Sequence, residues 1–194
     1  MPVLVSWICA VSLAVTSMGL LLSRNWRWSL GLLAVQYFSA FWLAMAHWPL
    51  SMSATLLVAG WMAAAALGMT HLNLKEDIAT ESSWPQGSLF RVFASGLVLM
   101  AISAAAGGLA GWLPNSSLPL TWGALVLIGL GFLHLGMTLQ PLRVILGLLT
   151  TLLGFEIFYT SIENSILVAG LLVVVTLGLA LTGCYLLMLG EQAA

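Results

Sequence analysis

The chain has 194 residues, of which 61% are hydrophobic and only 6% are charged, and its formal net charge is −1. A soluble domain carries about 25% charged residues, so most of this surface is expected to face lipid rather than water. No basic stretch resembles a nucleic-acid patch, which excludes nucleic acid as a partner. The first apolar run is too long for a cleavable signal peptide and lacks its basic flank, so we expect none.

Taken in order, the chain contains seven apolar runs of the length that crosses a bilayer as a helix, about 20 residues. A polar stretch, Asn73–Gly87, separates the first three runs from the last four. The sequence therefore predicts an all-α membrane protein that forms one domain over residues 1–194. The predicted spans are about Val3–Ser23, Trp28–Trp48, Ser51–Thr70, Ser88–Trp112, Leu120–Gln140, Leu142–Ile162 and Ser165–Leu189.

The basic residues predict how these spans are oriented. With seven spans, all five fall on the same side of the membrane: Arg24, Arg27, Lys75, Arg91 and Arg143. Cytoplasmic loops carry an excess of Lys and Arg, so this side is predicted to be cytoplasmic. The N-terminus is then outside and the C-terminus inside, in a multi-pass protein of the bacterial inner (cytoplasmic) membrane.

Glu156 is the residue that most clearly suggests a function. It lies in the middle of the sixth apolar run, thirteen residues beyond Arg143. At 1.5 Å per residue this is about 20 Å into the membrane, somewhat past the midplane. A carboxyl group at that depth costs at least a few kcal/mol and is by default a functional-site hypothesis. The alternative is a carboxyl that only packs against a neighbouring helix.

Three further residues near Glu156 extend the hypothesis toward the outer surface. Glu163 follows seven residues later, within about 20° of the same helix face. Tyr159 and Thr160 follow at i+3 and i+4 and can hydrogen-bond on that face. Together they predict a proton-conducting stripe that leads outward from mid-membrane. Glu163 can equally be a solvated loop acid.

Other polar groups in the spans have weaker functional signals. His134 lies near the cytoplasmic end of the fifth span and is a candidate for proton transfer to the sixth helix, because histidine titrates near physiological pH. A structural histidine is the alternative. Gln36, Thr150 and Thr151 are uncharged groups that can bridge helices. No catalytic motif, zinc spacing or nucleotide-binding glycine pattern occurs, so we expect no catalytic, metal or cofactor site.

Two short stretches resemble a known family. Leu153-Gly154-Phe155-Glu156-Ile157 resembles the glycine-x-glutamate stretch in the second helix of subunit K of respiratory complex I, and Leu177–Leu181 resembles an aliphatic stretch in its third helix. Residues 120–189 would then form the corresponding three-helix unit. The longer chain is similar to membrane component E of formate-hydrogenlyase-type hydrogenases, which adds spans ahead of such a unit.

The resemblance implies a role and not a reaction. Subunits of this kind contribute an intramembrane carboxyl to a proton path in a membrane arm, while partner subunits carry out the redox chemistry. Glu156 matches the embedded glutamate of the family's second helix. Where complex I subunit K has another acid in its third helix, this chain has Val173-Val174-Val175-Thr176. This departure implies a partial path that a neighbouring subunit completes, or a scaffold.

Three functions follow from the sequence. The first is a non-redox membrane subunit of a complex-I-like or hydrogenase-like assembly, with antiporter-like membrane subunits as its partners and Glu156 as a proton relay. The second is a subunit of a multisubunit cation/proton antiporter, since the small C-type subunit of such antiporters shares the three-helix plan. The third is a structural membrane anchor.

Overall fold

The computed structural model describes residues 3–23, 25–73, 87–112 and 116–192, and seven α-helices account for the regular structure in these ranges. Six of them are long and apolar enough to span a membrane, and α2, with 19 residues, is less apolar. The predicted all-α membrane protein with about seven helices is confirmed. The helices are α1 Val3–Leu22, α2 Trp26–Ala44, α3 Leu50–Asn73, α4 Ser88–Trp112, α5 Leu118–Gly136, α6 Pro141–Thr160 and α7 Ile166–Gln192.

The helices pack as two rows of three. The first row is α1–α2–α3 and the second is α5–α6–α7, with α1 against α5, α2 against α6 and α3 against α7. The fourth helix, α4, lies outside the rows and packs on α5 and α1. The second row covers residues 120–189, and the likeness of this unit to complex I subunit K stays a prediction. Because α2 and α6 are the middle helices of their rows, side chains between them are shielded from lipid on all sides.

The helix boundaries differ from the predicted spans by up to four residues, and the largest differences are at the end of α2 and at the end of α5, which is Gly136 rather than Gln140. The helix α2 ends at Ala44 rather than Trp48, because the chain tightens there into turns that precede Pro49, whose missing N–H cannot continue a helix. The helix α5 begins at Leu118, ahead of Pro119, because proline is tolerated in the first helical turn, where its N–H would have no helical partner. The turns after α2 bring the Trp48 side chain into the protein, where it is 5% exposed.

The bundle has two chemically different ends. Arg27, Arg91 and Arg143 lie in the first turns of α2, α4 and α6, and we call this the basic end. Arg24 and Lys75 lie outside the described residues. At the opposite end, which we call the Trp48 end, the Trp48 indole Nε1 donates to the Glu163 carbonyl oxygen at 3.0 Å and so joins the α2–α3 and α6–α7 connections. The described arginines share one end, as predicted; that this end is cytoplasmic stays a prediction.

A close approach of α5 and α6 depends on Gly154. A methyl group placed on Gly154 would lie 2.8 Å from the Ala124 carbonyl oxygen, 2.8 Å from the Leu127 Cβ and 2.8 Å from the Ile128 Cγ1. Small residues let membrane helices approach in this way, and packing is the main attraction between them in lipid. The glycine two residues before Glu156 therefore has a packing role.

Replacing Gly154 by alanine is expected to separate α5 from α6 and to destabilise the bundle by about 1–3 kcal/mol, the usual cost of overpacking. Unfolding in detergent micelles, followed by circular dichroism, measures this change. Gly178→Ala on α7 is the matched control, because a methyl group there meets nothing within 4 Å. Equal effects of the two substitutions would contradict the packing role.

Candidate functional site

The Glu156 side chain lies inside the bundle and not on its lipid-facing surface. It is 4% exposed, on the side of α6 that faces α2, α3 and α7. Four residues separate it from the end of α6 at Thr160, or about 6 Å along the helix axis. The site is thus a four-helix junction, nearer the Trp48 end than the basic end.

One oxygen of the Glu156 carboxyl group has a hydrogen bond and the other has none. The Thr176 hydroxyl of α7 donates to Oε1 at 3.0 Å, and Thr176 is fully buried. Glu156 Oε2 is buried without a partner among the described residues. A carboxyl group with one fixed and one open oxygen can accept or donate a proton at the open oxygen without breaking its interhelical bond.

The Tyr37 side chain of α2 closes the site from the opposite row. It is fully buried, with its hydroxyl beside Thr176 and Glu156 but without a hydrogen bond to any described residue. Its ring packs on Gly60 of α3, where a Cβ would overlap the ring. Glycine at this position is what allows a tyrosine to fit between the two rows.

A small pocket is lined in part by Glu156 and is large enough for about one water molecule. Its walls come from α3, α6 and α7, together with Trp48. The Trp48 ring also stands edge-on to Tyr159, with centroids 6.3 Å apart. Apart from Glu156 and Thr55, the lining residues are aliphatic or aromatic, and the Thr55 hydroxyl donates to the Met52 carbonyl oxygen of its own helix at 2.7 Å. The lining residues are Trp48, Thr55, Leu56, Glu156, Ala169, Leu172 and Val173.

Glu163 and Tyr159 form a separate pair at the Trp48 end. Glu163 is exposed, and its Oε2 accepts a hydrogen bond from the Tyr159 hydroxyl at 3.3 Å. Trp48 contacts both this pair and the pocket, since it binds the Glu163 carbonyl oxygen and lines the space beside Glu156. From Glu156 toward the Trp48 end, the pocket comes first, then Trp48, and then Tyr159 with Glu163.

The other two predicted site residues do not join Glu156. The Thr160 hydroxyl donates to the Ile157 carbonyl oxygen of its own helix at 2.7 Å. His134 is buried at the basic end, where it lines a second pocket with Arg91 and Arg143. It therefore lies beside Arg143 in the first turn of α6, and Arg143 is thirteen residues before Glu156 on that helix. Its role in proton transfer stays a prediction.

A second buried polar contact joins both rows closer to the basic end. Gln36 Nε2 donates to the Ser17 hydroxyl of α1 at 2.7 Å, and the Thr150 hydroxyl of α6 lies 3.4 Å from Gln36 Oε1. The predicted helix-bridging role is confirmed for these residues. Thr151 instead donates to the Gly147 carbonyl oxygen of its own helix.

Thr176 and Tyr37 are the site residues that the sequence analysis missed. Thr176 ends a β-branched run that stays helical, because lipid leaves the backbone no other hydrogen-bonding partners. It occupies the segment in which the resemblance led us to look for an acid. A single threonine in an apolar run does not by itself indicate a functional residue. Gly60, which leaves room for the Tyr37 ring, was only an indirect indication of a bulky neighbour.

Replacing Thr176 by valine removes the hydroxyl donor while keeping the side-chain shape. We expect the bundle to lose about 0.6 kcal/mol, and at most about 1.7 kcal/mol, the range measured for interhelical hydrogen bonds in membranes. A double-mutant cycle with Glu156→Met, which removes the acceptor oxygens at similar side-chain length, isolates the contact when read by unfolding in detergent. The matched control is Thr182→Val, since Thr182 on α7 donates to the Gly178 carbonyl oxygen of its own helix. Additive effects of Thr176→Val and Glu156→Met would contradict the contact.

The chain matches no protein-family model, no curated protein and no solved structure. The similarity to complex I and hydrogenase membrane subunits stays an interpretation of the short stretches quoted above. The function is therefore argued from the site itself.

Proposed function

We propose that this protein is a proton-translocating subunit of a larger membrane assembly, and that Glu156 binds and releases the proton. The observation that supports this most is the open oxygen of its buried carboxyl group, beside a pocket of water size. A carboxyl group used only for assembly would be expected to have both oxygens bonded, because an unpaired buried polar atom costs about 1–3 kcal/mol.

The proposed path runs from Glu156 toward the Trp48 end. A water molecule in the pocket would carry the proton from the open oxygen toward the Trp48 side chain. Tyr159 and the exposed Glu163 lie beyond it. In this proposal the basic end is cytoplasmic, as the excess of arginine there favours, and Glu163 exchanges protons with the outer face.

In the described part of the chain, the path toward the basic end is incomplete. Among the described side chains, Glu156 is the one acid that is buried. The contact of Gln36 with Thr150 is uncharged, and His134 lies at the far end of the bundle. We therefore propose that neighbouring membrane subunits complete the path, in a complex-I-like or hydrogenase-like assembly of the bacterial cytoplasmic membrane. The redox chemistry would belong to those partners.

Glu156→Gln is expected to lower proton translocation by roughly tenfold or more, because a positioned acid–base group contributes at least that much to proton transfer. The amide keeps the shape and the contact with Thr176 but does not bind a proton. The assembly purified in mild detergent and placed in vesicles with a pH-sensitive dye gives the measurement. Glu163→Gln, at the outer end of the proposed path, is expected to lower translocation less, because bulk water can replace an exposed carboxyl group.

Two results would contradict the proposal. Full translocation by an intact Glu156→Gln assembly would show that the carboxyl group is structural. Purification of this chain as a stable, isolated monomer under conditions that preserve membrane complexes would remove the subunit role.

A further inference from the structure

Trp48 stands between the pocket lined by Glu156 and the exposed Glu163. Among the described residues that line this pocket, Trp48 is the one that lies outside a helix, in the α2–α3 connection. Its indole Nε1 donates to the Glu163 carbonyl oxygen at 3.0 Å. An indole group has this one N–H donor and no acceptor. Because that donor is already used, Trp48 cannot take a proton from the pocket and pass it outward.

The other walls of the pocket offer no second route to water among the described residues. Apart from Trp48, Glu156 and Thr55, the lining residues are aliphatic. The Thr55 hydroxyl donates to the Met52 carbonyl oxygen at 2.7 Å. The Thr55 side chain is exposed, but it lies five residues inside the start of α3, or about 8 Å along the helix axis, where a spanning bundle faces lipid. The route to the aqueous face at this end therefore leads past Trp48.

The Trp48 side chain is held in place by few contacts. It packs with Met52 and Ala169 in a small cluster that is separate from the main core of the bundle, and Tyr159 lies at its edge. Segments with few buried apolar contacts open locally at low cost. The Trp48 backbone N–H donates to the Ala44 carbonyl oxygen at 2.8 Å, so the indole can rotate about its side-chain bonds while the connection stays in place.

From these observations we propose that the Trp48 side chain is a gate between Glu156 and the aqueous face at the Trp48 end, and that the arrangement described above is its closed position. This inference rests on the proposed function, in which Glu156 exchanges protons with that face. Opening breaks the hydrogen bond to the Glu163 carbonyl oxygen and turns the indole out of the pocket wall. Water then connects the open oxygen of Glu156 with the exposed Glu163, and closing interrupts this connection and limits proton leak.

Trp48→Phe tests the gate, because it keeps an aromatic ring in the pocket wall but removes the N–H donor. The full chain, with any co-purifying subunits, is placed in lipid at a pH at which the protonated-carboxyl band of Glu156 is present. Infrared spectroscopy follows this band after transfer to deuterated water, and Glu156→Gln identifies it by its loss. We expect its exchange rate to rise about two- to tenfold in Trp48→Phe, the effect of losing one net hydrogen bond on an opening equilibrium.

Trp61→Phe is the matched control. The Trp61 indole Nε1 also donates to a backbone carbonyl oxygen of a neighbouring helix, that of Ala34 at 3.1 Å, but Trp61 does not line the pocket. We expect this variant to exchange at the wild-type rate. An equal rise in both variants would overturn the gate in favour of a general loosening of the bundle. An unchanged rate in Trp48→Phe would also overturn it.

The amide II band of the same spectra separates opening of the gate from misfolding. Its shift in deuterated water reports exchange of the backbone N–H groups, which rotation of one side chain leaves unchanged. Faster exchange of the carboxyl band with wild-type exchange of the amide band supports the gate. Parallel rises in both bands would overturn it.

The gate and the proposed function fail in different ways. If Glu156→Gln keeps full translocation, the proposed function is lost, whereas faster carboxyl exchange in Trp48→Phe still supports control of water access by Trp48. If Glu156→Gln abolishes translocation and Trp48→Phe exchanges at the wild-type rate, the gate is lost and the proton-binding role of Glu156 remains.

Discussion

The arrangement of this bundle depends on burying the Glu156 carboxyl group between the helices, out of contact with lipid. Glu156 is held between the two helix rows by one hydrogen bond from Thr176, with Tyr37 closing the opposite side. That junction is possible because glycines stand at two close contacts, Gly154 between α5 and α6 and Gly60 under the tyrosine ring. The helix packing therefore determines which polar groups surround the Glu156 carboxyl group. Those groups give Oε1 a hydrogen bond and leave Oε2 without one.

The two ends of the bundle carry different polar groups. The Trp48 end has the pocket beside Glu156 and an exposed acid, so in the proposed function it exchanges protons with one aqueous face. The basic end holds Arg91 and Arg143 against the last carbonyls of α1, where positive charge complements the negative end of a helix dipole. Between the ends, the Gln36 contact fixes the rows without adding a charge. This separation keeps the described arginines at one end of the bundle and Glu156 near the other.

The sequence predicted the fold well because hydrocarbon leaves few choices. Long apolar runs must become helices, and the number and order of the helices followed from them. The functional interest of Glu156 also followed, since a rare charge in an apolar run is conspicuous, whereas its depth in the membrane stays a prediction. The partners of Glu156 could not be predicted. The contacts between the two rows depend on small residues, and these residues follow no periodic pattern in the sequence. Thr176 and Tyr37 are separated from Glu156 by 20 and 119 positions and look like ordinary span residues.

In the proposed function the Glu156 carboxyl group, although buried, exchanges its proton with water through the adjacent pocket. Infrared spectroscopy of that carboxyl group measures this exchange. The protein in lipid should show a protonated-carboxyl band that is absent in Glu156→Gln and that shifts within minutes after transfer to deuterated water. A band assigned to Glu156 that does not shift, in protein whose surface groups have exchanged, would contradict the account.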